Sequence, residues 1–260
     1  MKLTIILFGL VVFTGSLAKD IRIVGGENTI IHNVPHQVSI RIYDLNQHFC
    51  SGSIITRYHI LSAAHCFNDM NNDYTNLRVY IGTNSPYANS GVRFKITKVD
   101  IHPEFTGRMT QDEAWIHDIA VVTVDKRIKF QPYQHKIDLP TDEIVIGSDA
   151  VITGYGKLNF SAEWFPDQIH KAVLTVIDIE TCMNQLNRRI HDTQACLYKA
   201  KGIGGCYGDS GGPVVANEKL IGIQSWVIPC AQGYPDVFTN VYSHLDFINS
   251  IIGSTSTPRS

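Results

Sequence analysis

The sequence predicts an all-β chain, and three observations lead there. Apolar residues alternate in short runs, as at Val38, Ile40 and Ile42 and again at Val92, Phe94 and Ile96, with turn residues between such runs. Residues 119–124 and 220–223 are more continuously apolar and suit strands buried on both faces. Only the C-terminus reads as a clear helix: Val241, Leu245, Ile248 and Ile252 fall at helical spacing, Asn240 or Ser243 is placed to cap its start, and Gly253 to end it. Periodicity of this kind does not distinguish a sandwich from a barrel.

At the N-terminus, Met1-Lys2 precedes an apolar run over residues 3–13 and then Ser16-Leu17-Ala18, the small residues a signal peptidase prefers. Residues 1–18 are read as a signal peptide, because a membrane-spanning helix needs about 20 apolar residues and this run is well short of that. The expected product is secreted, with no membrane association after the signal is removed. No Gly/Ser/Pro-rich linker or repeat divides the rest, which is read as one unit. A hydrophobic content of 44% is ample for a core, and a formal charge of -2 offers nothing to a polyanion, which argues against nucleic-acid binding. Six cysteines behind a secretory signal point to disulfides before metal ligation, with 15 connectivities open on the residues alone.

The chemistry-bearing motif is Gly208-Asp209-Ser210-Gly211-Gly212-Pro213, which places a serine in a tight turn whose N–H groups can face an oxyanion. A serine hydroxyl is a poor nucleophile at neutral pH and needs a histidine to take its proton and a carboxylate to orient that histidine. Leu61-Ser62-Ala63-Ala64-His65-Cys66 supplies the first, and His117-Asp118-Ile119-Ala120-Val121-Val122 the second. Arg22-Ile23-Val24-Gly25-Gly26 adds a fourth motif, with the form of a cleavage junction.

These four motifs, in this order, resemble the chymotrypsin-like serine peptidases from Ile23 to about Ile252, and the pattern is similar to secreted arthropod gut and mite allergen peptidases. The resemblance implies two six-stranded antiparallel β-barrels with a C-terminal helix and a catalytic cleft between the barrels. It implies a propeptide at residues 19–22, a peptidase domain at 23–260, and disulfides joining Cys50 to Cys66, Cys182 to Cys196, and Cys206 to Cys230. His65, Asp118 and Ser210 take the roles of base, orienting acid and nucleophile, with the amides of Gly208 and Ser210 as the oxyanion hole. A trypsin-like protease would cleave Arg22–Ile23, freeing an Ile23 ammonium to pair with Asp209. A buried carboxylate without its cation costs about 3 to 5 kcal/mol, so the uncleaved chain is expected to hold that turn in another arrangement. Expected partners are peptide and protein substrates, the activating protease and protein inhibitors. The expected state is a monomer with no cofactor.

Within the implied specificity pocket, Gly204 stands where trypsin-like enzymes keep an aspartate, and Asp236 stands where the family usually has glycine. This combination resembles the broad-specificity collagenolytic peptidases of crustaceans, although Asp236 equally suits an exposed turn. Val227, after Ser225-Trp226, replaces another glycine and would narrow the pocket mouth. The backbone of residues 225–227 would add an extended substrate as a β-strand. Broad specificity is therefore expected in place of strict cleavage after Arg or Lys.

Two milder departures, Tyr155 for tryptophan and Ser51 for glycine, remove no catalytic group. Gly82-Thr83 lacks the glutamate of the family's calcium loop. His32 and His36 are separated by Pro35 and no His-Glu-x-x-His occurs, so no metal site is expected, and His117 is read as a surface neighbour of Asp118. Asn159-Phe160-Ser161 is an N-glycosylation sequon. The competing function is a catalytically silent paralogue acting as a secreted binding or decoy protein. Such proteins usually lose a triad member, and this chain has all three. A merely structural disulfide-rich domain leaves the cleavage junction unexplained.

Overall fold

The computed structural model describes residues 23–87 and 90–254; the expected signal peptide (1–18) and the expected propeptide (19–22), with its Arg22, lie outside the described residues. After a two-residue strand β1 (Glu27–Asn28) come β2 (Gln37–Ile42), β3 (Gln47–Ile54), β4 (His59–Ser62), β5 (Leu77–Ile81), β6 (Val92–Ile101) and β7 (Ala120–Val124). They close into an antiparallel barrel in the order β2-β3-β4-β7-β6-β5. The second half contains β8 (Asp149–Gly154), β9 (His170–Ile177), helix α1 (Ile179–Leu186), β10 (Gln194–Tyr198), β11 (Pro213–Ala216), β12 (Lys219–Trp226) and β13 (Asp236–Asn240). These six strands also close, in the order β8-β9-β10-β13-β12-β11, with β1 added to β9. The two barrels expected from the resemblance are therefore present.

Each barrel closes around its own apolar cluster. Val38, Ile40, Ile60, Val79 and Val122 fill the first, and Ile152, Leu174, Val214 and Phe238 the second. Helix α2 (Leu245–Ser254) follows a 3-10 turn at Tyr242–His244 and is held by its predicted stripe, since Val241 and Ile248 are fully buried in the first cluster. Asn240 caps the entry by accepting the Tyr242 amide at 3.0 Å, whereas Gly253 lies within the helix instead of ending it.

Two features depart from expectation. Helix α1 carries an i, i+3, i+4, i+7 stripe of Ile179, Cys182, Met183 and Leu186 and is capped by Asp178, whose carboxylate accepts the Thr181 amide at 2.8 Å. The stripe is only two turns long and mostly polar between, so it was passed over. Strand β2 alternates as predicted, but its polar residues Gln37, Ser39 and Arg41 are as buried as its apolar ones. Each has a partner inside the fold: Gln37 accepts Thr153 Oγ1 from the second barrel, Arg41 donates to Asn46 and the Ser85 carbonyl, and Ser39 leads through His48 to the serine turn.

Candidate active site

His65 sits in a 3-10 turn, Ala64–Cys66, immediately after β4, and Asp118 lies two residues before β7. β4 and β7 are paired antiparallel, with Ser62 opposite Ala120, which brings the two loops together at one end of the first barrel. Asp118 is fully buried, and its carboxylate takes three bonds: the His65 amide at 2.8 Å on Oδ1, and His65 Nδ1 at 2.7 Å and Ser225 Oγ at 2.6 Å on Oδ2. With Nδ1–H committed to a carboxylate, Nε2 is left as the lone-pair nitrogen, the form a general base requires. Trp115 stacks on the imidazole at 4.2 Å and 13°, fixing the ring plane.

Ser225, expected as a wall of the specificity pocket, thus also anchors the acid. Thr239 joins it by donating to the Asp118 carbonyl at 2.9 Å. Both come from the second barrel, so Asp118 is bolted across the cleft.

Ser210 lies in the turn before β11. The disulfides frame both sides: Cys50–Cys66 ties β3 to the histidine turn, and Cys206–Cys230 ties the serine turn to the segment after Trp226. Cys182–Cys196 joins α1 to β10. Closing loops of this size is worth on the order of 3 kcal/mol each in the chain-entropy model.

Around Ser210 most amides are spent within the fold. Cys206 N–H donates to the Asp209 carboxylate, Asp209 N–H to the Cys206 carbonyl, Gly211 N–H to Gln224, and Gly212 N–H to Asp209. The amides of Gly208 and Ser210 have no acceptor among the described residues. Gly208 is at φ +96°, and a Cβ there would lie 2.5 Å from the Phe165 ring, so this position admits only glycine.

The turn is held from the first barrel. Arg41 Nε–H donates to Ser39 Oγ at 3.0 Å, Ser39 Oγ–H to His48 Nδ1 at 2.9 Å, and His48 Nε2–H to the Gly208 carbonyl at 2.8 Å. These directions follow because arginine only donates and a carbonyl only accepts. Burial holds His48 down at about 4, so it stays neutral. Ser51 adds a second donor to the Gly208 carbonyl at 3.2 Å, and its amide donates to the Ser210 carbonyl at 2.7 Å. No local motif marks His48, Ser51 or Trp115 for these roles. Only spatial proximity reveals them.

Asp209 is 2% exposed and is seated between Gly154 and Gly156, where a Cβ would fall 2.0 and 2.3 Å from its carboxylate. Its oxygens accept the amides of Gly156 at 2.8 Å and Cys206 at 3.0 Å, and no cation pairs with it among the described residues. Burial pushes its carboxyl up to about 6, against the pull of those two amides. Asp209 is thus turned into the fold, where two N–H donors hold its carboxylate. Ile23 is 1% exposed, Val24 bridges to Gly204, and Ile23 has φ +31°, a strained conformation for a β-branched residue.

A cavity of about 160 Å³ opens beside Ser210, walled by Gly205, Ser225, Trp226, Val227 and Trp115. Gly204 and Asp236 lie behind that wall. Asp236 is 8% exposed, not in an exposed turn: it begins β13 and accepts the Gly205 amide at 2.6 Å. A side chain at Gly204 would press on it, since a Cβ there falls 2.8 Å from Asp236 Oδ2. Burial raises Asp236 to about 7, with the neighbouring Asp209 charge adding to the rise.

Residues 82–90 contain no carboxylate to hold calcium. His117 is not a simple surface neighbour, because it meets His102 and His244 in a cluster of imidazoles. No hydrogen bond joins Ser210 Oγ to His65 Nε2 in this structure. Catalytic bonds of this kind commonly tighten only with substrate in place.

Residues 23–248 match the family model described as Trypsin. The chain is 32% identical over 248 residues to Trypsin I-P1 of Gallus gallus, covering 94% of each chain. It is 34% identical over 227 residues to Chymotrypsin-2 of Vespa crabro, covering 87% of this chain and 98% of the relative. It is 32% identical over 243 residues to Hypodermin-A of Hypoderma lineatum, covering 92% and 90%. A two-barrel fold, a buried carboxylate on a histidine, a serine in a glycine-rich turn and this extent of similarity place the chain in the trypsin family of serine proteases.

Proposed function

We propose that this chain is the zymogen of a secreted serine endopeptidase that hydrolyses peptide bonds through an acyl-enzyme on Ser210. The observation that carries it is the pair of unengaged amides at Gly208 and Ser210, in a turn where the amides of Cys206, Asp209, Gly211 and Gly212 are bonded. His65 Nε2 takes the Ser210 proton as Oγ attacks the peptide carbonyl, and the carbonyl oxygen gains negative charge between those amides. His65 then returns the proton to the leaving amine, and the same steps with water free the acid. Asp118 holds the tautomer and stabilises the imidazolium. In comparable sites, losing one oxyanion donor costs about 3 to 4 kcal/mol.

Maturation follows removal of residues 1–18 and cleavage of Arg22–Ile23 by a trypsin-like protease, giving the monomeric peptidase domain 23–260. Cleavage would relax Ile23 and supply an ammonium for Asp209, giving a cationic partner to a buried carboxylate whose proton affinity burial has raised. Protein inhibitors that dock an extended segment on residues 225–227 would block it.

For selectivity, Asp236 behind Gly204 and Gly205 gives a charge buried under the pocket floor, as in the collagenolytic type, while Val227 limits bulk at the wall. Because Asp236 titrates near 7, preference for basic residues should depend on pH. Cleaved enzyme assayed on a peptide library at pH 6 and pH 8.5 should favour Lys and Arg over Leu and Phe several-fold more at the higher pH. Taking the ratio cancels the titration of His65. A ratio unchanged with pH would remove Asp236 from substrate recognition, and no cleavage of any peptide would return the decoy alternative.

A further inference from the structure

We propose that His102, His117 and His244 form a binding site for a divalent transition cation of the zinc class. His102 follows β6, His117 precedes Asp118, and His244 ends the 3-10 turn before α2, yet their ligating nitrogens all lie within 4.8 Å of one another. His117 Nδ1 and His244 Nε2 approach to 3.1 Å. The outer nitrogen of each ring faces a group that only accepts: His244 Nδ1 lies 2.7 Å from the Asn240 carbonyl, and His117 Nε2 lies 3.1 Å from a Glu104 carboxylate oxygen. Protons on those outer nitrogens leave two lone pairs pointing at each other across 3.1 Å. Such a contact is resolved by a third proton, by a shift of the His117 proton to Nδ1 away from the exposed Glu104 carboxylate, or by a metal ion that both lone pairs can ligate. Burial of His244, 2% exposed, and the crowding of three imidazoles oppose the extra charge of a proton.

The geometry suits zinc. Zn–N distances of about 2.0–2.1 Å in a tetrahedral site place two ligand nitrogens about 3.3 Å apart, so the pair needs to open by only a few tenths of an ångström. His102 lies parallel to His117 at 4.5 Å and 8°, and becomes the third ligand by turning out of the stack. The turn costs it one long bond, 3.3 Å, from the Glu104 amide to its Nδ1. The Asn240 carbonyl and Glu104 carboxylate are the outer partners that metal-bound histidines ordinarily have. Three imidazoles select zinc, copper or nickel over calcium and magnesium. The fourth position falls to water. One peptide bond separates His117 from Asp118, so the site adjoins the triad.

The test is calorimetric titration of the full chain carrying Ser210→Ala, which stops self-digestion, with zinc chloride in chelator-free buffer at pH 7.5. One ion per chain is expected, with affinity in the micromolar range and no response to calcium chloride. Binding should weaken at least tenfold in both His102→Asn and His117→Asn, whose partly exposed positions tolerate the change, and persist in His65→Asn. Absence of zinc binding, unchanged affinity in both cluster variants, or loss of binding only in His65→Asn would each overturn the site.

Discussion

The two sides of the cleft are finished to different degrees. On the base side, Asp118 is fully buried and accepts three hydrogen bonds, and His65 is clamped between that carboxylate and Trp115. On the nucleophile side, the amides of Gly208 and Ser210 have no acceptor among the described residues, and the buried Asp209 carboxylate has no cation among them. The base side is complete within the described residues. In the proposed zymogen the serine turn would receive a substrate oxygen and an ammonium, and control by cleavage would act there.

Asp118→Asn should break the base side hardest. It removes the charge that fixes the His65 tautomer while keeping the shape, and kcat of the cleaved enzyme should fall about 10⁴-fold with the melting temperature little changed. Steady-state kinetics beside a thermal melt checks this, and a fall of less than tenfold would remove Asp118 from catalysis.

The nucleophile side should respond to pH instead. Asp209 rises from 3.8 to about 6 on folding, so between those values the folded chain binds more protons than the unfolded one. The Asp209 contribution to stability is therefore fully present below about 4 and lost as pH rises through 6, by on the order of 3 kcal/mol. Asp236 adds a loss of the same sign that extends to about 7. His36, His48 and His244, each held at about 4 by burial, shift stability the opposite way over the same range, so the Asp209 part is isolated by urea unfolding of uncleaved Ser210→Ala with and without Asp209→Asn at pH 5 and pH 8. The stability of the parent relative to the Asp209→Asn variant should fall between pH 5 and pH 8, and a difference that rises with pH would contradict the assignment.

Ser51→Gly is the gentlest probe. It deletes the weaker of the two donors to the Gly208 carbonyl and leaves His48, so kcat should drop about fivefold, near 1 kcal/mol, with KM for a small peptide unchanged. A change in KM alone would place Ser51 in substrate binding.

The same division decides what could be read from the sequence. His65, Asp118 and Ser210 each sit in a local motif, so they were legible one at a time, and the resemblance supplied the barrels that periodicity left open. The groups that orient them act across the chain: Arg41 and Ser39 on β2 and His48 on β3 form a relay to the serine turn, and strand alternation alone does not mark their polar side chains as buried. Asp236 stood undecided between wall and turn because burial is a property of the packed barrel. The imidazole cluster joins residues as far apart as 102 and 244, which no spacing rule connects.

The most direct test is labelling of Ser210 by a serine-directed phosphonofluoridate before and after cleavage at Arg22–Ile23, with Ser210→Ala as control. The account predicts slow labelling of the uncleaved chain, stoichiometric labelling with peptide hydrolysis after cleavage, and none in Ser210→Ala. Correctly cleaved, folded protein that neither labels nor hydrolyses any peptide would contradict it.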